Sequence, residues 1–261
     1  MKTVLIEWLL YALTVMSIGS YAAAFTARWP VKNAYLWKKE AFELLSLPFN
    51  TPPPMQVSQK RSHCFQCHQT LVWQDLIPLL SYLLLKGKCR YCKSTISYRY
   101  PTIEFLHLTC CFPLLWLTHD IYQLTLQTLL ISCLITSTAI DIEHKLIPDE
   151  CNMLALGCAL LLHASSNTLE YSVFGMLIGY SLVYIIRWFY MAVRKCEGIG
   201  LGDAKLIAAL GAWLGFPSLA PLLLCASLSG ILYTVLLKRN GSNHMAFGPF
   251  LIFSAMLVFY L

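Results

Sequence analysis

The chain has 261 residues, of which 57% are hydrophobic and only 12% charged, with a formal net charge of +6 and a mean hydropathy of +0.61. A soluble domain carries about 25% charged residues, so these figures exclude an ordinary soluble globule and predict an all-α polytopic membrane protein. The positive charge is uneven: 11 of the 19 Lys and Arg lie between Arg28 and Arg99, against three acids, Glu40, Glu43 and Asp75. Basic loops of this kind are what the positive-inside rule places on the cytoplasmic side, and Trp29, Trp37 and Trp73 in the same loop mark the bilayer interface. Membrane lipid explains the basic charge, and no nucleic-acid partner is needed.

A membrane span takes roughly 17–25 apolar residues. In chain order the apolar runs are Thr3–Phe25, Thr102–Leu117, Ile121–Ile140, Met153–Ala164, Tyr171–Val193, Ala204–Gly215, Ser218–Leu237 and Met245–Leu261, which predicts about eight transmembrane helices. The first run is too long for a signal-peptide core of about 7–15 residues, and no small-residue cleavage site follows it; it is expected to stay as a span. With the first loop inside, the loops near 141–150, 194–203 and 238–244 are inside too, and they hold Lys145, Arg194, Lys195, Lys238 and Arg239. The loops near 118–120, 165–170 and 216–217 hold no Lys or Arg, only the acids Asp120 and Glu170. Charge alternation therefore puts Asp141, Asp149 and Asp203 at the cytoplasmic face.

The long first loop contains a stiff Asn50-Thr-Pro-Pro-Pro-Met55 stretch and then two CxxC pairs, Cys64/Cys67 and Cys89/Cys92, with 21 residues between the inner cysteines. Two such knuckles can present four thiolates tetrahedrally to zinc. A reducing cytoplasmic setting argues against disulfides. Four thiolates leave no open position for water, so the metal would shape the loop rather than do chemistry. His63 and His68 flank the first knuckle as neutral neighbours or substitute ligands. The other seven cysteines, scattered in or near spans, read as small hydrophobes.

Three of the chain's five aspartates fall in two short stretches, Asp141-Ile-Glu-His-Lys-Leu-Ile-Pro-Asp149 and Gly198-Ile-Gly-Leu-Gly-Asp-Ala-Lys205. Carboxylates are expensive in or near a bilayer and mark function by default. Asp141 ends one predicted span and Asp203 begins another. Gly198, Gly200 and Gly202 precede Asp203 at alternate positions, where glycine lets the backbone bend and approach another segment closely. Pro148 is expected to start a helix at Asp149 or soon after. Two carboxylates that meet share one proton near neutral pH, so that one activates water while the other donates a proton. The plainer reading pairs the aspartates with Lys145 and Lys205 as interfacial anchors. Lys205 can offset Asp203, and Glu143 and His144 can tune the pair. Glu104 and His107, one helical turn apart with Arg99 before them, form either a buried polar cluster that bears on chemistry or a structural one at the interface.

The motifs in sequence resemble the type IV prepilin peptidase family of bacteria over nearly the whole chain. The resemblance rests on Arg61-Ser-His-Cys64, Ile77-Pro-Leu-Leu-Ser81, Gly87-Lys-Cys-Arg90, Ile96-Ser-Tyr-Arg-Tyr-Pro101 with Glu104, then Asp141…Leu-Ile-Pro-Asp149, Gly198-x-Gly-x-Gly-Asp203-x-Lys-Leu and Phe247-Gly-Pro-Phe250. It implies a GxGD-type aspartyl protease of the bacterial inner membrane that removes the leader from type IV prepilins and type II secretion pseudopilins on the cytoplasmic side. It further implies N-methylation of the new N-terminus, with S-adenosylmethionine as donor. Asp141 and Asp203 match the catalytic aspartates; Asp149, Gly200, Gly202 and Lys205 are expected to support them, and Cys64, Cys67, Cys89 and Cys92 to bind zinc. The implied division is a first helix at 1–25, a methyltransferase-associated four-cysteine zinc domain at 26–100 and a transmembrane peptidase domain at 101–261.

The chain departs from the family at Gly19-Ser-Tyr-Ala-Ala23, where Ala23 replaces an asparagine, at Phe65, where proline is usual, and at Lys93, where glycine is usual. These lie in the methyl-transfer region, so a peptidase-only member is the near alternative. A transporter would place its acids at the bilayer midplane, and a docking scaffold would depend on the cysteines rather than the aspartates.

Overall fold

A computed structural model describes residues 2–54, 61–118, 120–195, 200–236 and 245–261, with the side chains of 2–4 excepted. Gly198, Cys196, Lys238 and Arg239 lie outside the described residues. Within them the regular structure is helical, and the pairing of extended backbone is confined to two isolated bridges, His63–Thr70 and Lys88–Thr95. The chain divides into two compact units, Met1–Pro113 and Leu114–Leu261.

The first unit contains α1 (Lys2–Leu44), the short α2 (Leu80–Leu84) and α3 (Arg99–Cys111). Helix α1 does not stop at Phe25. The residues that follow are mostly good helix formers, among them Lys38, Lys39, Glu40, Ala41 and Glu43, and Lys39 meets Glu43 one turn on at 3.6 Å. Pro30 sits inside the helix without ending it. Trp29 and Trp37, expected in a loop, are instead edge to face on this helix, with centroids 6.4 Å apart. Against α1 packs α3: a Cβ added to Gly19 would lie 3.1 Å from Glu104 Cα and from His107 Cβ. The Tyr11 hydroxyl donates to the Cys111 carbonyl at 3.1 Å. The apolar run Thr102–Leu117 is broken by the turn at Phe112–Pro113, because proline neither donates an N–H nor lets the preceding turn continue.

The second unit contains α4 (Leu114–Leu117), α5 (Ile121–His144), α6 (Asp149–Ser165), α7 (Leu169–Arg194), α8 (Leu201–Leu214), α9 (Leu219–Leu236) and α10 (Gly248–Tyr260). Helix α8 is the centre: from Leu206 to Trp213 every residue is buried. Its tightest neighbour is α7. A Cβ on either Gly175 or Gly211 would run into the other's carbonyl, the close backbone approach that small residues allow in lipid. Helices α5 and α6 pack side by side, α6 also meets α8, and α10 lies against α5, α8 and α9.

Among the described residues four helical stretches are long and apolar enough to cross a membrane: Leu5–Leu44, Ile121–His144, Leu169–Arg194 and Phe216–Leu236. The runs expected as spans at Thr102–Leu117, Met153–Ala164, Ala204–Gly215 and Met245–Leu261 form helices of 13, 17, 14 and 13 residues. At 1.5 Å per residue even the longest reaches only about 26 Å, short of a hydrocarbon core of about 30 Å.

Candidate active site and cysteine centre

The acidic site forms where three helix ends meet. Helix α5 runs one turn beyond the expected Ile140 and closes at Lys145, whose left-handed backbone (φ 56, ψ 39) lets its N–H reach the Asp141 carbonyl at 2.9 Å. Asp141 is thus fixed in the last helical turn, and its side chain is 5% exposed. Pro148 is extended and α6 begins at Asp149, where the sequence expects it. Asp203 stands half-buried in the first turn of α8. Its charge bears on the Asp141 carboxylate, although it comes 62 positions later in the chain.

Each aspartate faces a backbone N–H. That of Gly200 is directed at Asp203 and that of Gly248, the first residue of α10, at Asp141. No described protein group completes a hydrogen bond to Asp141 Oδ2. Ile147 packs between the segments, and a Cβ on Gly202 or Gly248 would meet its side chain at 3.4 or 3.3 Å. Neither Gly200 nor Gly202 needs glycine for space, since an added Cβ would meet its nearest neighbour at an ordinary 3.4 Å. The glycine that does is Gly248. Sequence reasoning assigned it no role, although the Phe247-Gly-Pro motif was in view.

Lys205 does not offset Asp203. Its ammonium grips both oxygens of Asp149, at 2.8 and 2.7 Å, tying the start of α6 to the start of α8. Glu143 and His144 are exposed and reach each other at 3.8 Å, so they do not turn into the pair.

The cysteine centre belongs to the first unit. The Sγ atoms of Cys64, Cys67, Cys89 and Cys92 all lie within 4.8 Å of one another, with Cys64 and Cys92 3.8 Å apart. A tetrahedral zinc with Zn–S of about 2.3 Å needs sulfurs about 3.8 Å apart, so the donor set fits the metal. The two knuckles repeat one hydrogen-bond pattern. Cys64 N–H donates to Gln69 O and His68 N–H to Cys64 O; Cys89 N–H donates to Ser94 O and Lys93 N–H to Cys89 O, all at 2.8–3.1 Å. His68 and Lys93, the fourth residue after each first cysteine, both have left-handed backbones (φ 57 and 59). The histidines are not in the thiol cluster; His63 turns its Nδ1 to the Arg61 carbonyl.

The thiols titrate apart. Burial opposes ionisation of Cys64, yet the N–H groups of Cys67 and Gln66 with Ser94 and Cys89 bring it down to about 6. The Ser94 hydroxyl and N–H lower Cys92. For Cys67 the N–H of Gln69 favours the thiolate, but burial and the three neighbouring thiols outweigh it and push it up to about 11. A dication supplies the charge that such a crowded set lacks. The module is held by Arg90, which pairs with the buried Asp75 side chain at 2.8 Å, and by Arg28 on α1, which donates to Ser62 Oγ at 3.2 Å.

Glu104 is 6% exposed and accepts the Leu79 N–H at 2.8 Å. Leu79 has φ 55 and ψ −47, a sparsely populated conformation that costs of order 1–3 kcal/mol. Glu104 therefore holds a strained turn in the Pro78-Leu79 stretch. His107, fully buried, faces the Ile103 carbonyl with Nδ1 at 2.8 Å.

The fold defines a helical membrane protein with a buried acidic site in one unit and a four-thiol centre in the other. Comparison with known proteins narrows this class. The model of the family described as "Bacterial Peptidase A24 N-terminal domain" matches residues 13–118, which hold the four cysteines, and that of the "Type IV leader peptidase family" matches residues 128–235, which hold Asp141, Asp149 and Asp203. A "Type 4 prepilin-like proteins leader peptide-processing enzyme" of Escherichia coli is 35% identical over 94% of this chain and 90% of its own length. A "Prepilin leader peptidase/N-methyltransferase" of Xanthomonas campestris is 32% identical over 93% and 87%, and one of Neisseria gonorrhoeae 34% over 96% and 89%. No solved structure matches. The chain belongs to the type IV leader peptidase family.

Proposed function

We propose that the chain cleaves the leader peptide from prepilins, using Asp141 and Asp203 with a water molecule, and then methylates the new N-terminal amine. What supports the peptidase reading is that the charge of Asp203, in the first turn of α8, bears on the buried Asp141 carboxylate at the end of α5. The names of the relatives support both activities.

The ionised aspartate takes a proton from water as the water oxygen attacks the scissile carbonyl, and the protonated aspartate donates to the carbonyl oxygen. The tetrahedral adduct collapses as the C–N bond breaks, and the proton taken from water passes to the leaving nitrogen. Lys205 and Asp149 keep α6 and α8 in register, so that Asp203 faces Asp141. S-adenosylmethionine is the proposed donor, and when bound it would supply an electrophilic methyl group to the neutral N-terminal amine. Cys64, Cys67, Cys89 and Cys92 would hold zinc, which would brace the loop and, with four thiolates, leave no position for water.

The proposed setting is the bacterial inner membrane, with about eight spans and the aspartates on the cytoplasmic side, where the basic loops also lie. The short helices then cross or dip into locally thin or protein-lined membrane. A prepilin's basic leader meets its apolar helix at that surface, and pseudopilins present the same junction. The proposed division of labour is a membrane span within the first 25 residues of the longer α1, the four-cysteine region at 26–100 for methyl transfer and 101–261 for cleavage.

The test is purified protein in nanodiscs with a prepilin, with and without S-adenosylmethionine, followed by mass spectrometry. Asp141→Asn and Asp203→Asn should each reduce leader removal at least about 1,000-fold, on the scale of losing one member of a catalytic set, while a peptide with a free N-terminus is still methylated. Normal cleavage by either variant would refute the mechanism. Cleaved but unmethylated product from the wild type would leave a peptidase alone.

A further inference from the structure

We propose that Gly248 is a positioning residue for peptide cleavage, because its missing side chain lets the Asp141 carboxylate lie against the first residue of α10. This rests on the reading of Asp141 as one of the reacting pair.

A side chain at this position cannot be added without displacing a neighbour. A Cβ on Gly248 would lie 2.5 Å from Asp141 Oδ2 and 3.3 Å from its Cγ, inside contact distance of a carboxylate oxygen. The backbone of Gly248 is not in the left-handed region, so conformational freedom is not the reason for glycine. Space is the reason. Helix α10 cannot easily retreat, because Leu251, Ser254 and Ala255 on its inner face are fully buried and the helix packs on α5 and α8. The carboxylate is the part that would move. It would leave the N–H that faces it and the partial positive charge of a helix start, and with them its alignment to Asp203. Pro249 follows at the helix start, where its missing N–H costs nothing and its fixed φ suits the first turn. The glycines of the Gly-x-Gly-Asp stretch show the contrast, since at 200 and 202 a methyl group would fit.

The experiment compares wild-type, Gly248→Ala, Gly248→Ala/Ile147→Ala, Asp141→Asn and Gly230→Ala proteins on one prepilin. Gly248→Ala should lower kcat about 100-fold, as an ångström-scale misplacement does, with KM, thermal midpoint and methylation of a free N-terminal peptide unchanged. Gly230→Ala, whose Cβ would make an ordinary 3.6 Å contact with Met245, should cleave normally. Trimming Ile147 relieves only the apolar neighbour of the new methyl, so the double variant should stay impaired. Recovery in that variant would make position 248 a packing site and overturn the proposal, as would normal cleavage by Gly248→Ala. If Gly248→Ala fails to fold, Asp141→Ala/Gly248→Ala should regain the thermal midpoint of Asp141→Ala, and failure to do so would also overturn it. Normal cleavage by Asp141→Asn would remove the reading of the pair itself. A dead Asp141→Asn beside an active Gly248→Ala would remove only the inference drawn from it.

Discussion

The cysteine centre and the acidic site hold their reactive atoms by opposite means. Each knuckle is a closed local turn: six consecutive residues make the same two backbone hydrogen bonds from Cys64 to Gln69 and again from Cys89 to Ser94. Two such turns then need only be brought together. The acidic site has no local unit. Its members come from the end of α5, the start of α8 and the start of α10, and their spacing depends on helix contacts tens of residues away, such as the Gly175–Gly211 crossing. A centre built from local turns tolerates change in the rest of the fold, while one built from helix ends inherits every shift in the packing.

Chelating the proposed zinc should break the comparison most sharply. Chelation of the full chain is expected to raise hydrogen exchange across residues 61–98 by orders of magnitude and abolish methylation, because metal binding is folding free energy for small thiolate sites. Cleavage of a prepilin should persist. If chelation stops both activities equally, the two regions do not act independently.

A smaller effect should follow from cutting the Asp149–Lys205 pair. Lys205→Met is expected to lower kcat roughly tenfold, since each such clamp is worth a charge-assisted hydrogen bond of about 1.5–3 kcal/mol at most, and exposure reduces that. The exchange Asp149→Lys/Lys205→Asp should recover part of the loss. An exchange variant no better than Lys205→Met would mean that Lys205 serves the substrate and not the register of α6 and α8.

The smallest change should be a gain. Lys93 holds φ 59, which a β-carbon makes unfavourable by about 1 kcal/mol. Lys93→Gly should therefore tighten the second knuckle and slow metal loss to a competing chelator severalfold. Faster loss would show that the lysine side chain contributes more than its backbone costs.

What could be read from the sequence follows the same division. The CxxC spacing carries its own geometry, and the four thiols lie together as the spacing implies. Helix ends marked by local chemistry were readable too, as at Pro148 and Asp149. Contacts between distant segments were not. The charge of Lys205 suggested its neighbour Asp203, but residues two apart on a helix do not face each other, and tertiary structure sends Lys205 to Asp149. The role of Gly248 depends on a carboxylate 107 positions earlier in the chain, and no local pattern carries that. The extension of α1 to Leu44 was missed because charged helix formers read as loop in a hydropathy scan, and the break at Pro113 because apolar residues surround it.

Helix α1 also works as a measuring rod. Its 43 residues make a rod of about 65 Å at 1.5 Å per residue, roughly twice the thickness of a hydrocarbon core. The chain beyond it doubles back, with Phe49 set against Tyr35 and Phe42, and the first knuckle is tied at Arg28 rather than at the far tip. The four-cysteine module therefore takes its place along the rod from Arg28, about 40 Å from the rod's start at 1.5 Å per residue, and not from the rod's end.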